Sequence, residues 1–111
     1  MAWRLYQESK YHSQKTTIDN ITFDSKKEAN RYQELKLLQS QNLIKDLILQ
    51  PEYPLVVNNK KVCTYRADFC YYDNELNTVI VEDVKGLKTP VYRLKKKLLL
   101  ALYTDINFKE I

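Results

Sequence analysis

The run Val79-Ile80-Val81-Glu82-Asp83-Val84-Lys85-Gly86 constrains this chain more than any other stretch. Its apolar, β-branched start predicts a buried strand. A buried strand that ends in Glu-Asp-x-Lys has to justify its charges, because unpaired charges are costly to desolvate. Side chains alternate along a strand, so Val81, Asp83 and Lys85 share one face. Val84 turns to the opposite layer. Glu82 also points away from Asp83 and is expected to be exposed or paired with a nearby cation. A carboxylate beside an ammonium, at the polar end of an apolar strand, suits a divalent metal plus a cation that manages a water or a phosphate.

The surroundings of this strand set the rest of the expected order. Ser25 to Glu28 has the spacing of a capping box, so a helix should run from there to about Ser40. Its inner stripe is Ala29, Tyr32, Leu35 or Lys36, and Leu38. Ile44 to Val57 reads as an extended segment, bent or at a sheet edge because Pro51 and Pro54 interrupt it. Asn58-Asn59 is a two-residue turn signal. Lys61 to Tyr72 reads as one strand, with Cys63, Tyr65, Ala67, Phe69 and Tyr71 on one face and Thr64, Arg66, Asp68, Cys70 and Tyr72 on the other. Asp73-Asn74-Glu75 turns the chain into the strand Thr78 to Lys85. Thr89 and Pro90 then make an N-cap and a first helical residue. That helix should reach about Tyr103 with Val91, Leu94, Leu98, Ala101 and Leu102 inward. Ile106, Phe108 and Ile111 predict a last strand. The fold class is α/β, an α+β mixed sheet in α-β-β-β-α-β order, with helices flanking four strands.

A length of 111 residues allows one domain. Residues 1–20 are polar and aperiodic and read as an arm, leaving residues 21–111 as the domain. Trp3, Tyr6 and Tyr11 in the arm could stack on bases, but suit packing on the domain or on a second protomer better. His12 takes no catalytic role. Cys63 and Cys70 face opposite ways on one predicted strand, which fits small core residues in a reducing cytoplasm. Two cysteines and one histidine do not make a zinc site. No segment reads as a signal peptide or as a membrane span.

The net charge of +4 is unevenly spread. From Val84 to Thr104 there is no acidic residue, while Lys85, Lys88, Arg93, Lys95, Lys96 and Lys97 fall in that span. Arg93, Lys96 and Lys97 sit at i, i+3 and i+4 on the second helix. Such a surface suits a polyanion, nucleic acid above all, or simply a solvated face.

Four positions converge in this layout, Asp83, Lys85, Asp68 and Glu28. Asp68, one strand earlier, lies roughly opposite Glu82 to Asp83. Glu28 opens the first helix and could reach the same end of the sheet. The ordinary alternatives are a cross-strand pair for Asp68 with Arg66 or Lys85, and a purely capping role for Glu28. Gln50 reads as a strand-end residue that satisfies backbone groups. Carboxylates with a lysine suit metal-assisted phosphodiester hydrolysis. Mg²⁺ prefers hard oxygen ligands and keeps several waters, and it lowers the pKa of a bound water.

Asp68 in Tyr65-Arg66-Ala67-Asp68-Phe69, with Asp83-Val84-Lys85 as a (D/E)XK tripeptide and Glu28 in the first helix, resembles the PD-(D/E)XK nuclease superfamily. The element order is similar to that superfamily's restriction-endonuclease-like core. More closely, Phe23-Asp24-Ser25-Lys26-Lys27-Glu28-Ala29, Leu49-Gln50-Pro51, and Glu82 to Gly86 followed by Thr89-Pro90 resemble a group of small phage and prophage proteins described only as a domain of unknown function. The superfamily often has Pro before its first Asp, where this chain has Ala67.

The resemblance implies a Mg²⁺-dependent DNA endonuclease, with Mn²⁺ able to substitute, structure-selective or weakly specific, with branched DNA in recombination or repair as one candidate substrate. It implies Asp68, Asp83 and the main-chain carbonyl of Val84 as metal ligands. Lys85 is then the catalytic lysine, and Glu28 an outer ligand or water-positioning acid. Lys88, Arg93, Lys96 and Lys97 are expected to hold the DNA backbone. The expected partners are DNA and a second copy in a homodimer, with no small-molecule cofactor, in the cytoplasm of a bacterial host. The competing reading is a non-catalytic DNA-binding or phage interaction module on a nuclease-like fold.

Overall fold

The computed structural model describes residues 14–84 and 88–111. Residues 1–13 and 85–87 lie outside the described residues, and with them most of the predicted arm, His12, Lys85 and Gly86. The chain divides into two compact units, Met1–Leu35 and Lys36–Ile111.

In the first unit, β1 (Thr16–Ile18) and β2 (Ile21–Phe23) form an antiparallel hairpin with Ile18 opposite Ile21. Asp19 and Asn20 make the turn at φ 53° and 62°. Two positive φ values in a two-residue loop are what a type I′ hairpin requires. Position 20, expected to end the arm, is therefore the tip of a hairpin. The helix α1 (Lys26–Ser40) follows, and the unit boundary falls within it. Its cap is as predicted: the Glu28 N–H donates to Ser25 Oγ at 3.1 Å. Ala29, Tyr32 and Leu35 are buried, as the predicted stripe requires. Tyr32 packs on Phe23 with ring centroids 5.0 Å apart, and its hydroxyl donates to Asp19 Oδ2 at 2.9 Å.

The second unit contains a four-stranded mixed sheet of β3 (Ile44–Leu49), β6 (Phe69–Asp73), β7 (Thr78–Asp83) and β8 (Ile106–Glu110), in the order β3-β6-β7-β8. The first two pairings are antiparallel, and β7 runs parallel to β8. The helix α2 (Pro90–Leu102) makes the crossover between the parallel strands. Thr89 caps it by accepting the Tyr92 N–H at 3.1 Å. The mixed sheet and two helices are compatible with a restriction-endonuclease-like α+β fold. Among the described residues no helix is long and apolar enough to cross a membrane.

The predicted strand Lys61 to Tyr72 is broken. It forms β5 (Lys60–Arg66), paired with β4 (Glu52–Val57), and then β6. The two-stranded ribbon is continuous through the break, because Gln50 N–H donates to Asp68 O at 2.9 Å and Ala67 N–H to Pro51 O at 3.1 Å. It bends because Gln50 takes a positive φ of 51° and Pro51 has no N–H to give the ladder. Beyond the bend, Asn58 and Asn59 close the hairpin at φ 50° and 64° as the turn signal predicts. Cys63 and Cys70 therefore sit on different strands, and both thiols are free.

The bent-away hairpin packs on α2. Leu55, Tyr65, Ala67, Val81 and Leu99 form the buried cluster, with Tyr92, Leu98, Tyr103, Ile106 and Phe108 around it. Tyr103 donates to Pro54 O at 2.8 Å, and Lys95 Nζ to Thr64 O at 3.2 Å. The inward face of α2 is not the expected one. Val91 is 65% exposed and Leu94 70% exposed, whereas Leu99 is fully buried. The helix is turned by about one residue, roughly 100°. Two lysines on the inward side disguise it in the sequence. Lys95 reaches a carbonyl of β5, and Lys96 lays its stem over the Phe108 ring, its Nζ 5.0 Å from the centroid.

Glu82 also departs from expectation. It is fully buried, and the Tyr71 hydroxyl donates to its Oε2. Both faces of β7 are covered at its end, so Ile80, Val81, Glu82 and Asp83 are all buried. The orientation of α2 can be checked by urea unfolding. Leu99→Ala should cost about 2–5 kcal/mol, as for other buried leucines. Leu94→Ala should stay within about 0.5 kcal/mol of the parent.

Candidate active site

The two aspartates singled out in the sequence meet at the ends of adjacent strands. Phe69 pairs with Glu82, and the Asp68 N–H donates to Glu82 O at 3.0 Å. This places Asp68, just before β6, beside Asp83, the last residue of β7. The Val84 N–H donates to Asp68 Oδ2 at 2.6 Å. Asp83 is fully buried, and the Tyr65 hydroxyl donates to its Oδ2. Its carbonyl accepts the Ile111 N–H at 2.9 Å. Each carboxylate thus has one oxygen oriented by a donor, which holds its rotamer.

Glu28 lies in the first unit, 5% exposed in the first turn of α1. Lys85 follows Val84 directly and lies outside the described residues. Of the proposed ligand set, Asp68, Asp83 and Val84 are brought together within the second unit.

β8 adds a carboxylate that the sequence reading missed. Glu110 pairs with Asp83 in the parallel register. Its Oε2 accepts the Tyr92 hydroxyl at 2.5 Å, and its Oε1 lies 3.3 Å from both Lys88 Nζ and Lys96 Nζ. The Tyr92 hydrogen bond, with the two lysines and against a desolvation cost, lowers its carboxyl to about 2. The Tyr92 hydroxyl is pushed well above the usual phenol range by burial, then by its bond to Glu110, then by the charges of Asp83, Glu110 and Asp68. Tyr92 therefore stands among all three carboxylates. Ile106, Phe108 and Glu110 alternate on one face of β8, so an acid at the end of an apolar alternation was the available signal. It is the same signal that marked Asp83.

The four predicted DNA-binding cations also converge. Lys88, Arg93, Lys96 and Lys97 line an open groove of about 450 Å³ together with Tyr92 and Glu110. Lys88 and Lys96 are engaged by Glu110, whereas Arg93 and Lys97 are exposed on α2.

A family model described as a protein of unknown function (DUF1064) matches residues 8–111. The chain belongs to the DUF1064 family. No curated protein and no solved structure matches it. In this DUF1064 chain, the matched span contains the Phe23-to-Ala29 and Glu82-to-Gly86 segments as well as both strand-end aspartates.

Among the described residues, no three His, Cys, Asp or Glu side chains are grouped so as to hold a metal ion by themselves. The donor chemistry still fits Mg²⁺. Two carboxylates and a main-chain carbonyl are hard oxygens, and Mg²⁺ commonly takes one or two carboxylates and completes its shell with water and phosphate.

The Glu110 cluster carries a pH signature. A carboxyl lowered from 4.5 to about 2 contributes stability that is present above pH 4.5 and is lost as pH falls through about 2. In chelator, Glu110→Gln should be less stable than the parent by on the order of 1–2 kcal/mol near neutral pH. Denaturation at stepped pH should show that gap closing towards about pH 2. A gap that is unchanged at acid pH would contradict the assignment.

Proposed function

We propose that this chain is a Mg²⁺-dependent endonuclease that hydrolyses phosphodiester bonds in DNA. The observation that carries the reading is the meeting of Asp68 and Asp83 at the ends of β6 and β7, beside a cation-lined groove, with Lys85 two residues after Asp83 in the sequence. The resemblance of Asp68 and Asp83-Val84-Lys85 to the PD-(D/E)XK nucleases supports it.

Asp68, Asp83 and the Val84 carbonyl would hold the metal. When bound, Mg²⁺ lowers the pKa of a water and offsets phosphate charge. The chain's own part is positional. Tyr65 and the Val84 N–H orient the two carboxylates. Lys85 orients the attacking water or offsets the charge that builds on the phosphate. Arg93 and Lys97 grip the backbone, while Lys88 and Lys96 reach it from their pairs with Glu110. In the reaction one P–O bond forms to water and one P–O ester bond breaks. The water gives up a proton, and the departing oxygen takes one. Glu28 carries its water-positioning or outer-ligand role only through the resemblance.

A homodimer would supply the second site that cutting two strands requires. Branched DNA in recombination or repair, and the cytoplasm of a phage-bearing bacterium, are the settings this reading suits.

Plasmid nicking and junction cleavage with Mg²⁺ or Mn²⁺ test the proposal. Asp83→Asn keeps a hydrogen-bond acceptor for Tyr65. It and Lys85→Ala should each lower the rate by roughly 100-fold or more while circular dichroism stays native. Parental activity in both variants would sink the proposal. DNA binding without cleavage in the parent would replace it with a non-catalytic binding module.

A further inference from the structure

A second groove, of about 340 Å³, lies on the other side of Tyr92 from the first. Thr64, Tyr65, Arg66, Thr89 and Lys95 line it, and Tyr92 is common to both grooves. Among the described residues, the second groove has two cations and two threonine hydroxyls on its walls and no acidic lining residue. The first has Glu110, which engages two of its four cations.

The fold places both cations at the second groove and pins one of them. Arg66 is the last residue of β5, two positions before Asp68, and the bend of the ribbon presents it to solvent. Glu52 stands opposite it in the β4–β5 register, yet among the described residues the guanidinium makes no ion pair. Lys95 spends one donor on Thr64 O at 3.2 Å. That bond pins the ammonium at the groove wall, and an ammonium has three donors. Thr89 caps α2, a 13-residue helix whose positive end adds to the local potential.

Asp83 connects to both grooves. Tyr65, in the wall of the second, donates to its Oδ2. Glu110, in the wall of the first, is its partner in the β7–β8 register. The Tyr65 and Tyr92 ring centroids lie 6.3 Å apart.

We infer that the groove of Thr64, Arg66, Thr89 and Lys95 is a second backbone-phosphate site, so that one nucleic-acid strand is held on both sides of Tyr92 and carries a phosphate past Asp68 and Asp83. The inference rests on the nuclease reading and deepens it. An enzyme that grips the strand on each side of the reacting phosphate cuts internally rather than from an end. Contacts from guanidinium and ammonium groups to phosphate oxygens carry no base information, so such binding is independent of sequence.

Fluorescence anisotropy of a labelled oligonucleotide in chelator, titrated over a range of salt, tests this. Each phosphate contact contributes about 0.7 to the slope of log K against log salt on single strands and about 0.9 on duplex. Arg66→Gln and Lys95→Gln should each lower the slope by about that amount and weaken binding equally for unrelated sequences. Lys97→Gln, in the first groove, should do the same, and its effect should add to that of Arg66→Gln. Lys61→Gln, on the exposed part of β5, should leave the slope unchanged. Arg66 is exposed, so its variant keeps the test valid even if Lys95→Gln disturbs the helix.

An unchanged slope in Arg66→Gln and Lys95→Gln, with a reduced one in Lys97→Gln, overturns the second site and leaves the nuclease reading standing. Inorganic phosphate that displaces the oligonucleotide from the parent at low concentration, with no loss of that competition in Arg66→Gln, also overturns it. No oligonucleotide binding by the parent overturns both readings.

Discussion

Asp68 ties three strand ends together. Its N–H donates to Glu82 at the end of β7, its carbonyl accepts from Gln50 after β3, and its Oδ2 accepts from Val84 past β7. The ribbon bends at this point and leaves the sheet, and the departing hairpin becomes the wall that buries Leu99 of α2. Sheet, hairpin and helix therefore share one junction, and the proposed metal ligands stand at it. A side chain that both closes the strand ends and offers a carboxylate links folding to the site directly.

Burying carboxylates at that junction has a cost, and phenols offset it. Tyr65 donates to Asp83, Tyr71 to Glu82 and Tyr92 to Glu110. A buried charge is tolerated when it is hydrogen-bonded, and a tyrosine supplies the donor together with a large apolar body. This gives a physical use for several of the nine tyrosines. The turns show a similar substitution. The chain has one glycine, and among the described residues its positive-φ positions are Asn or Asp except at Gln50. Asn and Asp tolerate the left-handed region better than other non-glycine residues. Gln50 is where the ribbon bends, so the least comfortable backbone marks the junction.

The two grooves on either side of Tyr92 differ in their electrostatics. One contains an acid that pairs with two lysines, and the other has no acid on its walls among the described residues. A partly neutralised set of cations and an uncompensated pair suit the proposed strand, positioned on one side and held by charge on the other.

Much of the fold was legible from local patterns. The Ser25-to-Glu28 cap, the Asn58-Asn59 turn, the Thr89-Pro90 helix start and the apolar run Val79 to Val81 each act through neighbours within a few residues, so sequence spacing determined them. So did the pairing of Asp68 with the end of β7, because a short turn sets the register of adjacent strands. The bend at Gln50-Pro51, the rotation of α2, the burial of Glu82 and the arrival of Glu110 were decided only by tertiary structure. Each depends on a partner far along the chain. Lys95 and Lys96 look like solvated residues until Thr64, Phe108 and Glu110 come to meet them. Glu82 looks exposed until Tyr71 supplies a donor. Alternation and helical period describe which faces exist, and long-range packing chooses which of them is turned inward.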